Sequence, residues 1–198
     1  MESVRTFIAI ELPAQVRAAL GQAQQMLQAA APADGRMVKW VTPASIHLTL
    51  KFLGDTPLTG LDAIRAALLR STAGRQTLAL HIGRAGCFPN ARQPRVLWIG
   101  MEGELEGLAA LQSAVEATVS PLGFNTERRP FSPHLTLGRV RDDADAISRQ
   151  RIGAAVQTLR PPALSFTATG ISLMRSELQP GGAVYTQLAH QSFSSTSA

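Results

Sequence analysis

One tetrapeptide occurs twice with residues capable of chemistry: His47-Leu48-Thr49-Leu50 returns as His134-Leu135-Thr136-Leu137 in the second half of the chain. A β-strand through either copy would present His and Thr on one face and the leucines on the other. An imidazole, with an unperturbed pKa of about 6.5, is available near neutral pH in both protonation states. Two of them around one cavity can serve as general base and general acid in the same reaction. The threonine hydroxyls can donate to the non-bridging oxygens of a tetrahedral anion held between them. This set suits in-line attack on a phosphodiester. One His deprotonates water, and the other, across the phosphorus, protonates the departing alkoxide. A lone His on a half-buried strand is more often structural, so it is the matched pair that carries the signal. Metal binding is the rival use, but no His-x-x-x-His or His-Glu-x-x-His spacing occurs and neither copy holds a carboxylate. The expectation is no metal and no cofactor.

The elements that must position these groups are legible as periodicities. Residues 4–10 alternate as a strand; Pro13 opens a helix striped by Val16, Ala19, Leu20, Ala23 and Leu27. Strands follow at 37–41 and 46–53, where Ile46, Leu48, Leu50 and Phe52 are expected to pack inward. Then come a helix at 58–72 and strands at 77–83 and 95–100. The second half begins at Arg95, with a helix at 103–121, a Pro/Arg-rich loop, a strand at 134–140, a helix near 143–159, and strands near 164–174 and 183–189. Gly181-Gly182 reads as the turn of the last hairpin. Both halves can be written β-α-β-β-α-β, so an internal duplication is expected, about 1–94 and 95–190, within one bilobal domain over 1–198. The fold class is α+β: two pseudo-symmetric lobes, each an antiparallel β-sheet with helices packed outside and the active-site cleft between them. The Ser-rich 191–198 is expected to be a flexible tail.

Composition narrows the class. A chain of 198 residues with 45% hydrophobic and 17% charged residues can bury a core and is too apolar to be disordered. No apolar run approaches the roughly 20 residues of a membrane span. The N-terminus has no signal-peptide pattern, so a cytoplasmic location is expected. The lone Cys87 excludes an internal disulfide and a cysteine-rich zinc site, and is expected to be a small core residue. Net charge is +5, carried by 17 arginines and only Lys39 and Lys51. Arginine forks suit phosphate, although an Arg-rich genome would give the same total. Position favours the first reading, because Arg128, Arg129, Arg139 and Arg141 surround the second motif while Lys39 and Lys51 flank the first.

These motifs resemble those of the two-histidine (2H) phosphoesterase superfamily. More closely, the chain is similar to the RNA 2',3'-cyclic phosphodiesterases, historically called 2'-5' RNA ligases. The likeness extends through RTFIAIELP (5–13), KWVTPASIHLTLKFLG (39–54), GCFPNARQPRVLWIG (86–100), FSPHLTLGRV (131–140) and SLMRSELQPGGAVY (172–185). The resemblance implies a cleft between two antiparallel sheets and hydrolysis of a 2',3'-cyclic phosphate at an RNA end to a 2'-phosphomonoester. It implies His47 as proton donor to the leaving 3'-oxygen, His134 as acceptor from water, Thr49 and Thr136 as their companions, and Arg139 near the phosphate. The partners expected are RNA with a cyclic phosphate end, tRNA fragments among them, or cyclic nucleotides. Neither a membrane nor an obligate protein partner is expected. Ligation through a 2'-5' bond is the reverse reaction at the same site, and a non-catalytic RNA-end-binding module is the alternative from another class.

Around this centre, Phe7 is a candidate to stack on a terminal base and Arg129 to bind phosphate or RNA, with Phe131 and Trp40 as further groove candidates. Core packing competes for each aromatic. His81 and His190 are expected to be structural or solvated, and Tyr185 is assigned to neither core nor cleft.

Overall fold

Apolar residues alternate along the strands and stripe the helices, so each element has one face to cover, and one large core covers most of them. The computed structural model describes residues 2–31, 34–179 and 182–193. Strand β1 (Ser3–Glu11) leads to α1 (Ala14–Ala30), β2 (Val38–Trp40), β3 (His47–Pro57), α2 (Leu61–Thr72) and β4 (Leu78–Phe88). Strand β5 (Val96–Gly103) leads to α3 (Leu105–Val119), β6 (His134–Val140), α4 (Ala146–Thr158), β7 (Ser165–Ala168), β8 (Gly170–Gln179) and β9 (Gly182–Ser192). The strands form one sheet in the order β7-β4-β5-β6-β3-β1-β8-β9, with β2 paired to β6 off this path. Every ladder is antiparallel.

The sheet divides into two four-stranded arms, β3-β1-β8-β9 and β6-β5-β4-β7, joined where β3 meets β6. Buried stripes from all four helices, such as Val16, Leu20, Ile64, Leu68, Leu108, Leu111, Ile152 and Val156, share one core with Ile8, Ile10, Leu48, Leu135, Leu97 and Ile99 from both arms. A second, smaller cluster of Phe7, Ala9 and Met174, with Tyr185 against it, marks the opposite face of the first arm. The fold is thus α+β, with helices on one sheet face and the motif histidines on the other.

The chain weaves between the arms. Strand β4, from the first half, lies beside β5, while β8 from the second half lies beside β1. The 94/95 division in sequence is therefore not the division in space. The single strand expected near 164–174 is two: β7 pairs with β4 in one arm, and after Thr169 the chain passes as β8 into the other. Gly170 at this passage is required by close approach, since a Cβ there would lie 2.5 Å from the Gln191 carbonyl oxygen and 2.8 Å from the His190 ring. Gln191 and Ser192 continue β9, and the buried Phe193 donates its N–H to the Thr169 carbonyl at 2.8 Å, so the expected tail is fixed through 193. Residues 194–198, Gly181 of the expected turn, and Pro32-Ala33 lie outside the described residues.

Candidate active site

Strands β3 and β6 meet at one registered pair, Leu48 opposite Leu135. Both leucines are fully buried on the helix side. Their neighbours in sequence therefore face the other way, and continuing the antiparallel register by one residue sets His47 against Thr136 and Thr49 against His134. Two motifs distant in the chain become one four-residue cluster at the join of the arms.

A matched pair of bulges then redirects the residues just after each motif threonine. In the β1–β3 ladder Ala9 pairs with Thr49 and Ile8 with Lys51, leaving Leu50 as the extra residue. In the β5–β6 ladder Trp98 pairs with Thr136 and Leu97 with Gly138, leaving Leu137 extra. An extra residue turns two consecutive side chains inward and reverses the alternation beyond. Leu50 and Lys51 are both buried, as are Leu137 and Gly138. The reversal brings Phe52 and Arg139 onto the face of the histidines. Phe52, expected in the core, is instead 67% exposed. Lys51, expected as a cation flanking the first motif, turns inward: its Nζ donates to Glu116 Oε2 at 2.9 Å and to the Asn125 carbonyl at 2.5 Å. Arg139 remains exposed, paired in register with Lys39 on β2, and acts electrostatically on the Tyr185 hydroxyl.

Each imidazole is aimed by the main chain two residues before it. His47 Nδ1 lies 2.9 Å from the Ser45 carbonyl oxygen, and His134 Nδ1 lies 2.7 Å from that of Ser132. A carbonyl can only accept, so Nδ1 carries the hydrogen and Nε2 is left to exchange a proton. The repeat is therefore Ser-x-His-Leu-Thr-Leu, longer than the tetrapeptide, and the two serines were readable in the sequence. His47 stacks on Phe7 (centroids 4.5 Å apart, planes at 24°) and meets the edge of Tyr185 at 5.0 Å. His134 meets the edge of Phe88 at 5.0 Å, with Trp98 6.4 Å away. Burial holds the His47 pKa below its ordinary value, while the Ser45 carbonyl and the Glu11 carboxylate pull in the other direction. Burial likewise pushes the Tyr185 phenol up, so it stays a neutral donor at the edge of the site.

The remaining sequence candidates separate. Phe7 is 2% exposed with its ring against His47, so it supports the imidazole, and a base could not stack on it without displacing that ring. Arg129 is exposed and engaged with Glu127 through Nε at 3.2 Å and Nη2 at 3.1 Å, which holds that carboxyl down at about 2. Trp40 and Phe131 are partly buried and pack against the helix-side core, and Trp40 Nε1 donates to the Gly35 carbonyl at 3.2 Å. His81 pairs with Glu102 at 3.4 Å, half-exposed. Cys87 is partly buried against the core, its thiol pushed up to about 11 by that burial. Sequence reasoning missed Phe88 and Trp98 as neighbours of His134, and Phe52 as a neighbour of Phe7. Gly86, across from Trp98, was the available signal, since a Cβ there would run into the indole ring.

Comparison with known proteins shows the family. A family model described as the 2'-5' RNA ligase superfamily matches residues 13–180. The RNA 2',3'-cyclic phosphodiesterase of Methanothermobacter thermautotrophicus is 33% identical, covering 93% of this chain and 96% of its own. That of Thermus thermophilus is 35% identical over 93% of this chain and 88% of its own. Among solved structures, TT0787 of Thermus thermophilus gives a TM-score of 0.76 at 33% identity, covering 96% of this chain and 97% of that one. Escherichia coli LigT complexed with 3'-AMP gives 0.75 at 27% identity, covering 98% and 100%. Relatives matched along nearly the whole chain, which carries the Ser-x-His-x-Thr repeat on both strands at the join of its sheet, place this protein in the 2'-5' RNA ligase superfamily.

Proposed function

We propose that this enzyme, an RNA 2',3'-cyclic phosphodiesterase like its curated relatives, hydrolyses a cyclic phosphate at an RNA end to a 2'-phosphomonoester by two-histidine acid–base catalysis without a metal. The observation that carries this is the Leu48–Leu135 pairing, which sets both His–Thr pairs side by side on one sheet face. His134 Nε2 takes a proton from the attacking water as its oxygen bonds to phosphorus. The P–O3' bond breaks on the opposite side, and His47 Nε2 gives its proton to the departing 3'-oxygen. Thr49, Thr136 and Arg139 hold the non-bridging oxygens as charge builds on them. The Ser45 and Ser132 carbonyls keep each ring in the tautomer the step requires. In the resting state buried His47 favours the neutral form. An anionic phosphate beside it favours the charged form, so substrate binding draws a proton to the donor.

The test uses an oligoribonucleotide ending in a 2',3'-cyclic phosphate, with chelator present, and phosphorus NMR of the product. A 2'-phosphate is expected, with losses of about 10²- to 10⁴-fold in kcat for His47→Ala and for His134→Ala. No turnover, or turnover indifferent to both substitutions, overturns the reading.

A further inference from the structure

The two arms superpose their registers but not their charges. Glu11 is the β1 residue opposite His47; the β5 residue opposite His134 is Gly100. Three residues beyond each motif threonine, Phe52 in one arm corresponds to Arg139 in the other. One imidazole therefore has a carboxylate beside it and no arginine on its strand, while the other has an arginine on its strand and no carboxylate beside it.

The carboxylate is held in place. Ser172, fully buried, donates its hydroxyl to Glu11 Oε1 at 2.5 Å. Gln187 Nε2 donates to the same oxygen at 2.5 Å and to Ser172 Oγ at 3.2 Å. With its own hydrogen committed to Glu11, Ser172 Oγ accepts from His190 Nδ1 at 2.9 Å. His190, expected from the sequence to be structural or solvated, thus closes a chain that runs over β9, β8 and β1 to the residue opposite His47. Gly170 supplies the room for its ring. An exposed carboxylate would ordinarily sample many rotamers; this one is fixed by two direct partners, Ser172 and Gln187, before any substrate arrives.

We propose that Glu11, anchored by Ser172, Gln187 and, through Ser172, His190, is the positioning residue that makes His47 rather than His134 the proton donor. The proposal rests on the two-histidine reading above. The charged and titratable groups around His47 are Glu11 on β1, Tyr185 and His190 on β9, and His134 and Arg139 on β6. Arg5 on β1 acts on Tyr185, and Lys51 is turned to the other face. Of these, Glu11 is the anion whose field reaches the imidazole.

The experiment is a pH titration of the histidine ring signals by NMR in the whole protein, alongside pH–rate profiles on the cyclic-phosphate oligonucleotide. In Glu11→Gln, which keeps the shape and loses the charge, the His47 midpoint is expected to fall by about half a unit to one unit, a three- to tenfold loss of imidazolium above it. The His134 midpoint should stay within a quarter of that shift. The alkaline limb of kcat should move down with His47 while KM stays within about twofold. Glu11→Asp should recover part of both shifts, and Ser172→Ala, which frees the carboxylate, should give a smaller shift in the same direction that shrinks with added salt. A His47 midpoint unmoved in folded Glu11→Gln overturns the proposal, as does a rate loss equal at every pH. If Glu11→Gln fails to fold, the Ser172→Ala titration decides by the same criterion. Absence of turnover in the unsubstituted protein would sink the two-histidine reading, whereas the ring titration judges Glu11 independently of turnover.

Discussion

The arms of this sheet carry the same strand-bulge-strand device around the same Ser-x-His-x-Thr segment, and they differ at the positions that touch it. In the first arm the residue that follows the extra leucine is Lys51, paired with Glu116; in the second it is Gly138, over which β2 passes so closely that a Cβ would lie 2.7 Å from Val38. Beyond the bulge stand Phe52 and Arg139, and beside the histidines stand Glu11 and Gly100. The shared features aim two imidazoles at one place. The differing ones give them unequal charge and burial, which a reaction needing one acid and one base requires. The likeness of the two arms supplies the geometry, and their differences give the two rings unequal surroundings.

The most disruptive way to break the comparison is to remove one imidazole at a time. His134→Ala and His47→Ala should each cost about 10²- to 10⁴-fold in kcat, but they should leave different pH profiles. With the base gone, the acidic limb disappears; with the donor gone, the alkaline limb does. In the unsubstituted enzyme the kcat/KM profile reports the free protein, where burial lowers the His47 pKa, so its alkaline limb should fall below the ordinary imidazole value of about 6.5. The kcat profile, read with phosphate bound, should place that limb higher. The next largest effect is structural. Lys51→Ala leaves Glu116, whose side chain is 13% exposed, without its cation, and should lower stability by about 3 kcal/mol by denaturant unfolding while leaving the second arm's register intact.

Arg139→Ala sharpens the same contrast at smaller scale. With Arg139 holding the phosphate as proposed, its loss should cost about 10- to 100-fold in kcat/KM and reduce the dependence on salt. Phe52→Ala, at the matching position of the other arm, should leave the salt dependence unchanged, and equal changes in salt slope for both would show that the bulges do not deliver their residues to different tasks.

Much of this was legible and some was not, for identifiable reasons. Strand alternation, helix stripes and the doubled motif are local patterns, and they place β1, β3, β5, β6 and the helices correctly. A bulge, by contrast, inserts one residue without any change in composition. Nothing in Leu50-Lys51 or Leu137-Gly138 announces that two neighbours will both turn inward, so plain alternation predicts Phe52 in the core and leaves Lys51 among the cations flanking the first motif. The burial of Phe7 depends on Met174 and Tyr185, delivered by β8 and β9 from the far end of the chain. The split between β7 and β8 is visible only once their different partners are known. Ser45 and Ser132, however, were in plain view as part of the repeat, and their role rests on one fact, that a carbonyl two residues back can reach Nδ1.

The gentlest perturbation tests the asymmetry from the opposite side, by giving His134 a carboxylate of its own. Gly100 admits a side chain: a Cβ there would sit 3.5 Å from the Arg84 carbonyl oxygen and from the Trp98 ring, ordinary contact distances. Gly100→Glu places an anion opposite His134 as Glu11 stands opposite His47, though without the Ser172 and Gln187 anchors, so its field is more screened. An anion favours imidazolium, so the His134 midpoint should rise by about 0.3 unit. The base must be neutral to act, and the acidic limb of the rate profile should therefore move to higher pH, costing about twofold below that limb and nothing well above it. A shift of the limb to lower pH, or an equal displacement of both limbs, would mean that the strand neighbour of each histidine does not set its protonation.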